Sequence, residues 1–213
     1  MHNDPAPSRR PRRRMPAAER REQIVDVATV LISQRGYWGT AIQDVADACE
    51  LTVAGLLHHV GSKDGLLIEV LTHRDQADAR ALAAMLGLSI PPGDWDPHWL
   101  GETILKQGIS LARACEAIVE RNATQPEIVR LYSVLEAESL HADHPGHNYF
   151  SQRQRLTLEG FAQQAPDGVD GTALAQHVLA VMDGLQVQWL RDPGIDLITR
   201  WRDIAAGIPG LND

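Results

Sequence analysis

The feature that most constrains the fold is the stretch from Ala41 to Val60, in which two short amphipathic segments flank a tight turn. In the first segment Ile42, Val45 and Cys49 recur at helical spacing, so one helical face is apolar and needs a partner. Thr52 is placed to cap the second segment as a helix by accepting from the amide of residue 54 or 55. Two helices joined in this way predict a helix-turn-helix, whose second helix enters the major groove of DNA. An ordinary helical hairpin in an all-α core is the alternative.

The outward face of the second helix is uncharged, and its residues are small or flat: Val53, Ala54, Leu57 and His58. Such a face is unusual for a solvated surface, whereas it suits contact with the edges of base pairs. We therefore predict that residues 52–59 lie in the major groove. The apolar residues on the other side, Leu56 and Val60, are predicted to point inward.

The flanking segments make the pattern more specific. Upstream, apolar residues at helical spacing from Ile24 to Ile32 predict a helix that ends at Gly36, and Thr40 is expected to cap the next helix. Downstream, Ser62 is expected to cap a helix that begins at Lys63. Residues 23–71 together resemble the N-terminal DNA-binding domain of the TetR family of transcriptional regulators.

Three residues depart from that family's pattern. Glu50 stands in the turn where the family usually has glycine, at a position expected to have φ > 0, which costs on the order of 1 kcal/mol. Leu57 replaces a tyrosine that contacts the DNA backbone in similar proteins, and Val60 replaces a core phenylalanine. We therefore expect phosphate contacts to depend on Thr52, His59 and Lys63, together with the basic tail.

That tail, from Ser8 to Arg14, holds five arginines in seven residues and is expected to lie along phosphates or in a narrow minor groove. A solubilising tail is the alternative. Residues 1–74 carry a net charge of +1 and residues 75–213 a net charge of −9, so a basic edge is joined to an acidic region that DNA repels. The residues predicted to contact DNA are Arg12, Arg13, Arg14, Thr40, Gln43, Thr52, Val53, Ala54, Gly55, Leu57, His58, His59 and Lys63.

The rest of the chain shows helical periods between Gly/Pro breaks and no strand-like alternation, so the fold class is all-α. The breaks predict helices near 63–86, 97–121, 126–142, 147–164, 171–191 and 195–207, which gives nine with the three before them. Three parts are expected: a disordered arm at 1–17, a DNA-binding domain at 18–78, and a helical ligand-binding and dimerisation domain at 79–213.

Dimerisation is predicted from two helices. The segment 171–192 is apolar nearly all round, and the last helix is stabilised only by packing, so the two can pair with their symmetry mates as a four-helix bundle. Burial within one subunit is the alternative. The interface residues predicted in this way are Leu174, Val178, Val181, Leu185, Trp189 and Trp201.

The family resemblance also implies a small-molecule effector held among the middle helices. Large apolar groups mixed with a few polar ones suit such a pocket and favour a mostly apolar ligand. The candidate lining residues are Trp95, Trp99, Gln107, Leu111, Tyr132, Glu136, Phe150, His177, Met182 and Gln186. Each of them is more often a core residue than a ligand contact.

Other function classes find little support. No phosphate-binding loop, G-x-S-x-G elbow or H-E-x-x-H motif is present, so we predict no enzyme and no cofactor. His141, His144 and His147 recur at three-residue spacing, but a helix break at Pro145 removes a common face, and no metal site is predicted. The two cysteines, well separated in sequence, indicate a reducing cytoplasm, and no apolar stretch reaches the roughly 20 residues of a membrane span.

The sequence thus predicts a homodimeric, cytoplasmic regulator that represses transcription and leaves a palindromic operator in double-stranded DNA when a small molecule binds. The competing hypothesis is an all-α scaffold that binds other proteins and is indifferent to DNA sequence.

Overall fold

The computed structural model describes residues 15–90 and 98–211. Over these ranges the chain is all-helical, with ten helices and no strand. They are α1 (Ala17–Arg35), α2 (Ile42–Ala48), α3 (Val53–Val60), α4 (Lys63–Met85), α5 (His98–Lys106), α6 (Leu111–Ala123), α7 (Pro126–Glu138), α8 (His147–Ala162), α9 (Gly171–Arg191) and α10 (Leu197–Ala205).

The all-α prediction is confirmed, and one predicted helix is wrong. The segment expected as a single helix at 97–121 is divided into α5 and α6. Gly108 takes φ 65°, a left-handed conformation that ends α5, and the hydroxyl of Ser110 then accepts from the amide of Arg113 to begin α6. The break therefore depends on a single glycine and a serine cap, without a proline to mark it.

Two large hydrophobic cores organise the described residues. The first core contains the buried faces of α1, α2, α3 and the start of α4, and it is completed by Leu131 and Leu135 of α7 and Phe150 of α8. The second core lies among α6, α8, α9 and α10 around Val178 and Trp201. A smaller cluster joins the second half of α4 to α5 and α6. The boundary predicted at residue 78 thus falls inside the continuous helix α4.

The residues predicted for the dimer interface mostly lie inside the protomer. Leu174, Val178, Leu185 and Trp201 are each 4% exposed or less, because they pack in the second core. Val181 and Trp189 are partly buried against the same core. The assignment of the four buried residues to a dimer surface is therefore wrong. Their apolar pattern serves packing within one chain, and α9 exposes its other face.

None of the described helices combines the length and the apolar character needed to cross a membrane.

Candidate nucleic-acid interface

The turn between α2 and α3 has the geometry that the sequence predicts. Glu50 takes φ 55°. Among the described residues other than glycine, it alone has a positive φ. The amide of Leu51 donates to the carbonyl of Ala46 at 2.8 Å, which closes the end of α2. The turn therefore holds a helix-turn-helix although a glutamate occupies the left-handed position.

Two of the three predicted helix caps are confirmed. The hydroxyl of Thr52 accepts from the amide of Gly55 at 3.0 Å, and that of Ser62 accepts from Gly65 at 2.9 Å. Helices α3 and α4 therefore begin directly after these cap residues.

The cap predicted at Thr40 is wrong. Helix α2 begins after Ala41, and the carboxylate of Asp44 accepts from the amide of Ala41 at 3.2 Å. The hydroxyl of Thr40 instead donates to the carbonyl of Gly36 at 2.8 Å, and the residue is 2% exposed. A buried threonine with an occupied hydroxyl cannot reach a phosphate, so Thr40 does not belong to the interface.

The outward face of α3 consists of the residues that the sequence predicts. Thr52, Ala54 and His58 are exposed, whereas Leu56 and Val60 are buried in the first core. The partly exposed residues on the same side are Val53, Gly55, Leu57 and His59. An uncharged, low-relief face of this kind can approach base edges without desolvating a charge.

The charges around that face are largely acidic. On α2 Asp44 pairs with Arg35 at 3.2 Å, and Asp47 accepts from the side-chain amide of Gln43 at 2.6 Å. Gln43 is exposed as predicted, but its amide group is already held within α2. Cations for phosphate binding must come from beyond α2 and α3, and the predicted Arg12, Arg13 and Arg14 lie outside the described residues.

Lys63, at the start of α4, occupies a defined position. Its ammonium group lies 4.1 Å from the centroid of the Tyr37 ring, a cation–π contact. The hydroxyl of Tyr37 donates to Asp64, so the ring is itself fixed to α4. Desolvation lowers the pKa of Lys63, while nearby Asp64 and Glu138 raise it.

The residues that support Lys63 were not predicted from the sequence. The amide of Tyr37 donates to the carboxylate of Glu138 at 2.7 Å, across 101 positions of the chain. His144, one of the three spaced histidines, is 2% exposed and packs edge-on against the rings of Tyr37 and Trp38 at 5.0 and 5.7 Å. No local sequence pattern pairs the turn after α1 with the end of α7.

The predicted ligand-lining residues do not converge on one cavity. The rings of Tyr132 and Phe150 pack edge-on, with the Tyr132 hydroxyl donating to Asp75 at 2.7 Å and the guanidinium of Arg153 at 4.8 Å from the Tyr132 ring centroid. The charge of Glu136 acts on the same guanidinium. Leu111 and Met182 belong to the second core, and Trp99 packs against the smaller cluster.

The remaining members of the set are more scattered. Gln186 accepts from the side-chain amide of Asn122 at 2.9 Å. Gln107 and His177 are exposed on the surface, so the expectation that they point inward is wrong. Trp95 lies outside the described residues. An open groove of about 440 Å³ lies between α6 and α10, and Trp201 contributes to it, but none of the predicted lining residues does.

The described parts of the chain contain no candidate metal site and no disulfide bond. No group of three or more histidine, cysteine, aspartate or glutamate side chains there is arranged to hold a metal ion. His147 contacts the carbonyl of Ser139 at 2.7 Å, and His141 is exposed. Cys49 and Cys115 are free, buried thiols, and burial raises the pKa of each.

The region that contains this geometry is similar in sequence to known proteins. Residues 24–70 match the family described as bacterial regulatory proteins, tetR family. Over 52 residues the chain is 36% identical to the transcriptional repressor KstR2 of Rhodococcus jostii, and over 54 residues it is 33% identical to KstR2 of Mycolicibacterium smegmatis. These matches cover 24% and 25% of this chain and 26% of each relative, so the similarity spans about a quarter of the curated relatives' length.

Solved structures show the same fold over most of the chain. A TetR-family regulator from a Rhodococcus species aligns with a TM-score of 0.63 at 17% identity, covering 90% of this chain and 98% of that one. NalD of Pseudomonas aeruginosa, described as a secondary repressor of the MexAB-OprM multidrug efflux pump, aligns with a TM-score of 0.64 at 21% identity, covering 90% and 94%. The sequence of residues 24–70 is thus similar to the TetR family of bacterial regulatory proteins, and the fold of the chain is the one found in regulators of that family.

Proposed function

We propose that this chain is a sequence-specific DNA-binding repressor of transcription that acts as a homodimer in the cytoplasm. The observation that carries the proposal is the outward face of α3, which is uncharged, accessible and capped at Thr52. The region that contains it, residues 24–70, is the one that matches the family, and the relatives with which it shares sequence are named as repressors. The protein acts by binding rather than by catalysis.

Base recognition and phosphate binding are assigned to different residues. Val53, Ala54 and Leu57 contact base edges, because they carry no charge to desolvate. Thr52, His59 and Lys63 contact phosphates beside the N-terminal amides of α3 and α4, and the arginine tail adds most of the positive charge. We expect K63A to weaken binding to all sequences by about tenfold and to lower the salt slope by about one. Substitutions at Val53 or Ala54 instead change the preferred sequence.

A homodimer is inferred because a single recognition helix contacts too few base pairs. A single helix of eight residues reads few base pairs, whereas two helices related by a twofold axis read a palindrome with half-sites about 34–36 Å apart. With the apolar face of α9 buried in the protomer, the opposite face is the one available to a second copy. It presents Ala180, Gly184 and Val187, whose small side chains permit two helices to approach closely.

The effector is assigned to the C-terminal region, residues 79–213, together with the part of α4 that packs against it. The cluster of Tyr132, Phe150 and Glu136 offers aromatic surface and a few polar groups, which suits a mostly apolar small molecule. Binding there moves α7 or α8 relative to α4 and changes the separation of the two recognition helices.

The test is selection of duplexes from a randomised library by the purified full-length protein, followed by sequencing. A DNA-binding dimer enriches a palindrome whose half-sites are centred about 10 base pairs apart or a multiple of that spacing. Enrichment of no sequence contradicts the proposal and favours the scaffold alternative. A V53A variant selected in parallel is expected to enrich a different or relaxed half-site.

A further inference from the structure

We propose that Glu138, at the C-terminal end of α7, is a positioning residue for DNA binding that acts through Tyr37 on Lys63. This inference rests on the proposed function, since it assigns a role to Glu138 in the placement of a DNA-contacting lysine. The residues involved, Gly36, Tyr37, Lys63, Glu138 and His144, are called the α1–α7 junction below.

The carboxylate of Glu138 is in direct contact with the backbone of the turn that follows α1. Its Oε2 accepts from the amide of Tyr37 at 2.7 Å, a short, charge-assisted hydrogen bond. Gly36 takes φ 72°, and a Cβ built on it would lie 2.2 Å from Oε1 of Glu138. Only glycine leaves room for the carboxylate at this distance, so the turn and Glu138 are fitted to each other.

The side chain of Tyr37 links the backbone that Glu138 holds to Lys63. Tyr37 is 5% exposed, its hydroxyl donates to Asp64, and its ring lies under the ammonium group of Lys63. The position of the lysine charge therefore depends on the position of the ring, and the ring depends on the backbone that Glu138 holds. Glu138 also acts on Lys63 directly, because its charge favours the ammonium form.

His144 lies against the same carboxylate. Its Nδ1 accepts from the amide of Gly146 at 3.1 Å, so the neutral ring carries its proton on Nε2. That Nε2 is buried without a hydrogen-bond partner and lies 3.7 Å from Oε2 of Glu138. The imidazole also contacts the rings of Tyr37 and Trp38, which limits the space into which the Glu138 side chain can turn.

Helix α7 also packs against the proposed DNA-binding domain at residues that precede Glu138. Leu131 and Leu135 are fully buried in the first core, with residues of α1 and α4. A displacement of α7 therefore moves Glu138 together with the Gly36–Tyr37 turn. The C-terminal region thus has a route to the DNA-contacting lysine through α7, in addition to the continuous helix α4.

The test is a double-mutant cycle on the full-length protein with a duplex obtained by the selection above. The variants are E138A, K63A and the combination, with E127A as the matched control, because Glu127 lies exposed at the other end of α7. We expect E138A to weaken binding about fivefold and E127A to leave it unchanged. The combined variant is expected to bind no more weakly than K63A alone, because both changes disable the same contact.

Two further readouts separate positioning from general stability. E138A is expected to lower the salt slope of binding by about one, as K63A does, although it removes a negative charge. E138Q keeps an oxygen that can accept from the Tyr37 amide and is expected to bind within about twofold of the wild type. If E138A does not fold, E138D replaces it in the cycle, since the shorter side chain keeps the charge but falls short of the amide.

Losses that multiply in the combined variant, or an E138A that binds like E127A, would overturn the role of Glu138. A salt slope that E138A leaves unchanged would do the same. The proposed function is judged separately by the wild type: if the wild type shows no preference for the selected duplex, the function fails, whereas an additive cycle on a duplex it prefers refutes only the positioning role.

Discussion

The two large cores differ in the parts of the chain from which they are built. The second core uses residues 111–211 alone, so the C-terminal region completes its own interior. The first core combines residues 24–71 with Leu131, Leu135 and Phe150, which lie at least sixty positions further along the chain. The core of the proposed DNA-binding domain is therefore completed by side chains of α7 and α8. This difference places the domain that is proposed to contact DNA under the influence of the region that the effector is proposed to occupy.

The largest expected effect tests the independence of the second core. Trp201 is 2% exposed and is the largest fully buried side chain among the described residues, so W201A should lower the free energy of unfolding by about 4 kcal/mol through lost burial and a residual cavity. Hydrogen exchange should accelerate in α6, α9 and α10 and remain unchanged in α2 and α3. Faster exchange in α2 and α3 at the same time would show that the two cores are one cooperative unit.

The next effect tests the shared character of the first core. L135A should cost about 3 kcal/mol, and although the substitution lies on α7 it should accelerate hydrogen exchange in α1 and α4. A matched change in the second core, V178A, should leave α1 protected. If L135A affects only α7 and α8, the DNA-binding domain is complete without them and the comparison fails.

A smaller effect concerns strain within the DNA-binding domain itself. Glu50 has φ 55°, so E50G should raise the free energy of unfolding by about 1 kcal/mol relative to E50A, which removes the same charge without relieving the backbone. Chemical denaturation of the two variants measures the difference. Equal stabilities would mean that the turn tolerates a side chain at this φ without cost.

The smallest effect is a pH dependence at the α1–α7 junction. Burial lowers the pKa of His144 below the ordinary value of about 6.5, against the opposing effects of Glu138 and Asp64, while His141 and His147 lower it further. As pH falls through about 6.5 the unfolded chain therefore binds a proton before the folded one, and stability decreases.

Measured from pH 7 to pH 5, the stability of H144Q should fall less steeply than that of the wild type. H177Q, at an exposed position on α9 that does not contribute to the pKa shift of His144, should follow the wild-type curve. Asp183, whose carboxyl pKa desolvation and Glu136 raise to about 6, contributes to every curve and cancels in the comparison. Identical slopes for H144Q and the wild type would contradict the assignment.

Local features of the DNA-binding domain could be predicted from sequence because each depends on a few adjacent residues. The positive φ of Glu50 and the caps at Thr52 and Ser62 are of this kind. Thr40 was assigned wrongly because the N-cap position of α2 is occupied by Ala41, and the hydroxyl of Thr40 donates to the carbonyl of Gly36 instead.

Features that depend on distant pairing could not be predicted. The apolar pattern of α9 shows that the helix is buried on two sides, but it does not show whether the partner is the same chain or a second copy, and Val178 proves to be covered by the protomer. The contact between Glu138 and Tyr37 joins residues 101 positions apart. The ligand-lining set failed to converge for the same reason, since helical periodicity gives each helix an inner face without saying which inner faces meet.

The central claim is that the exposed face of α3 recognises a DNA sequence, and fluorescence anisotropy of the full-length protein tests it most directly. The selected duplex and a scrambled duplex of equal composition are titrated over a series of salt concentrations. The account predicts binding to the selected duplex at least about a thousandfold tighter than to the scrambled one near physiological salt, with both affinities falling steeply as salt rises. Equal affinity for the two duplexes would contradict it.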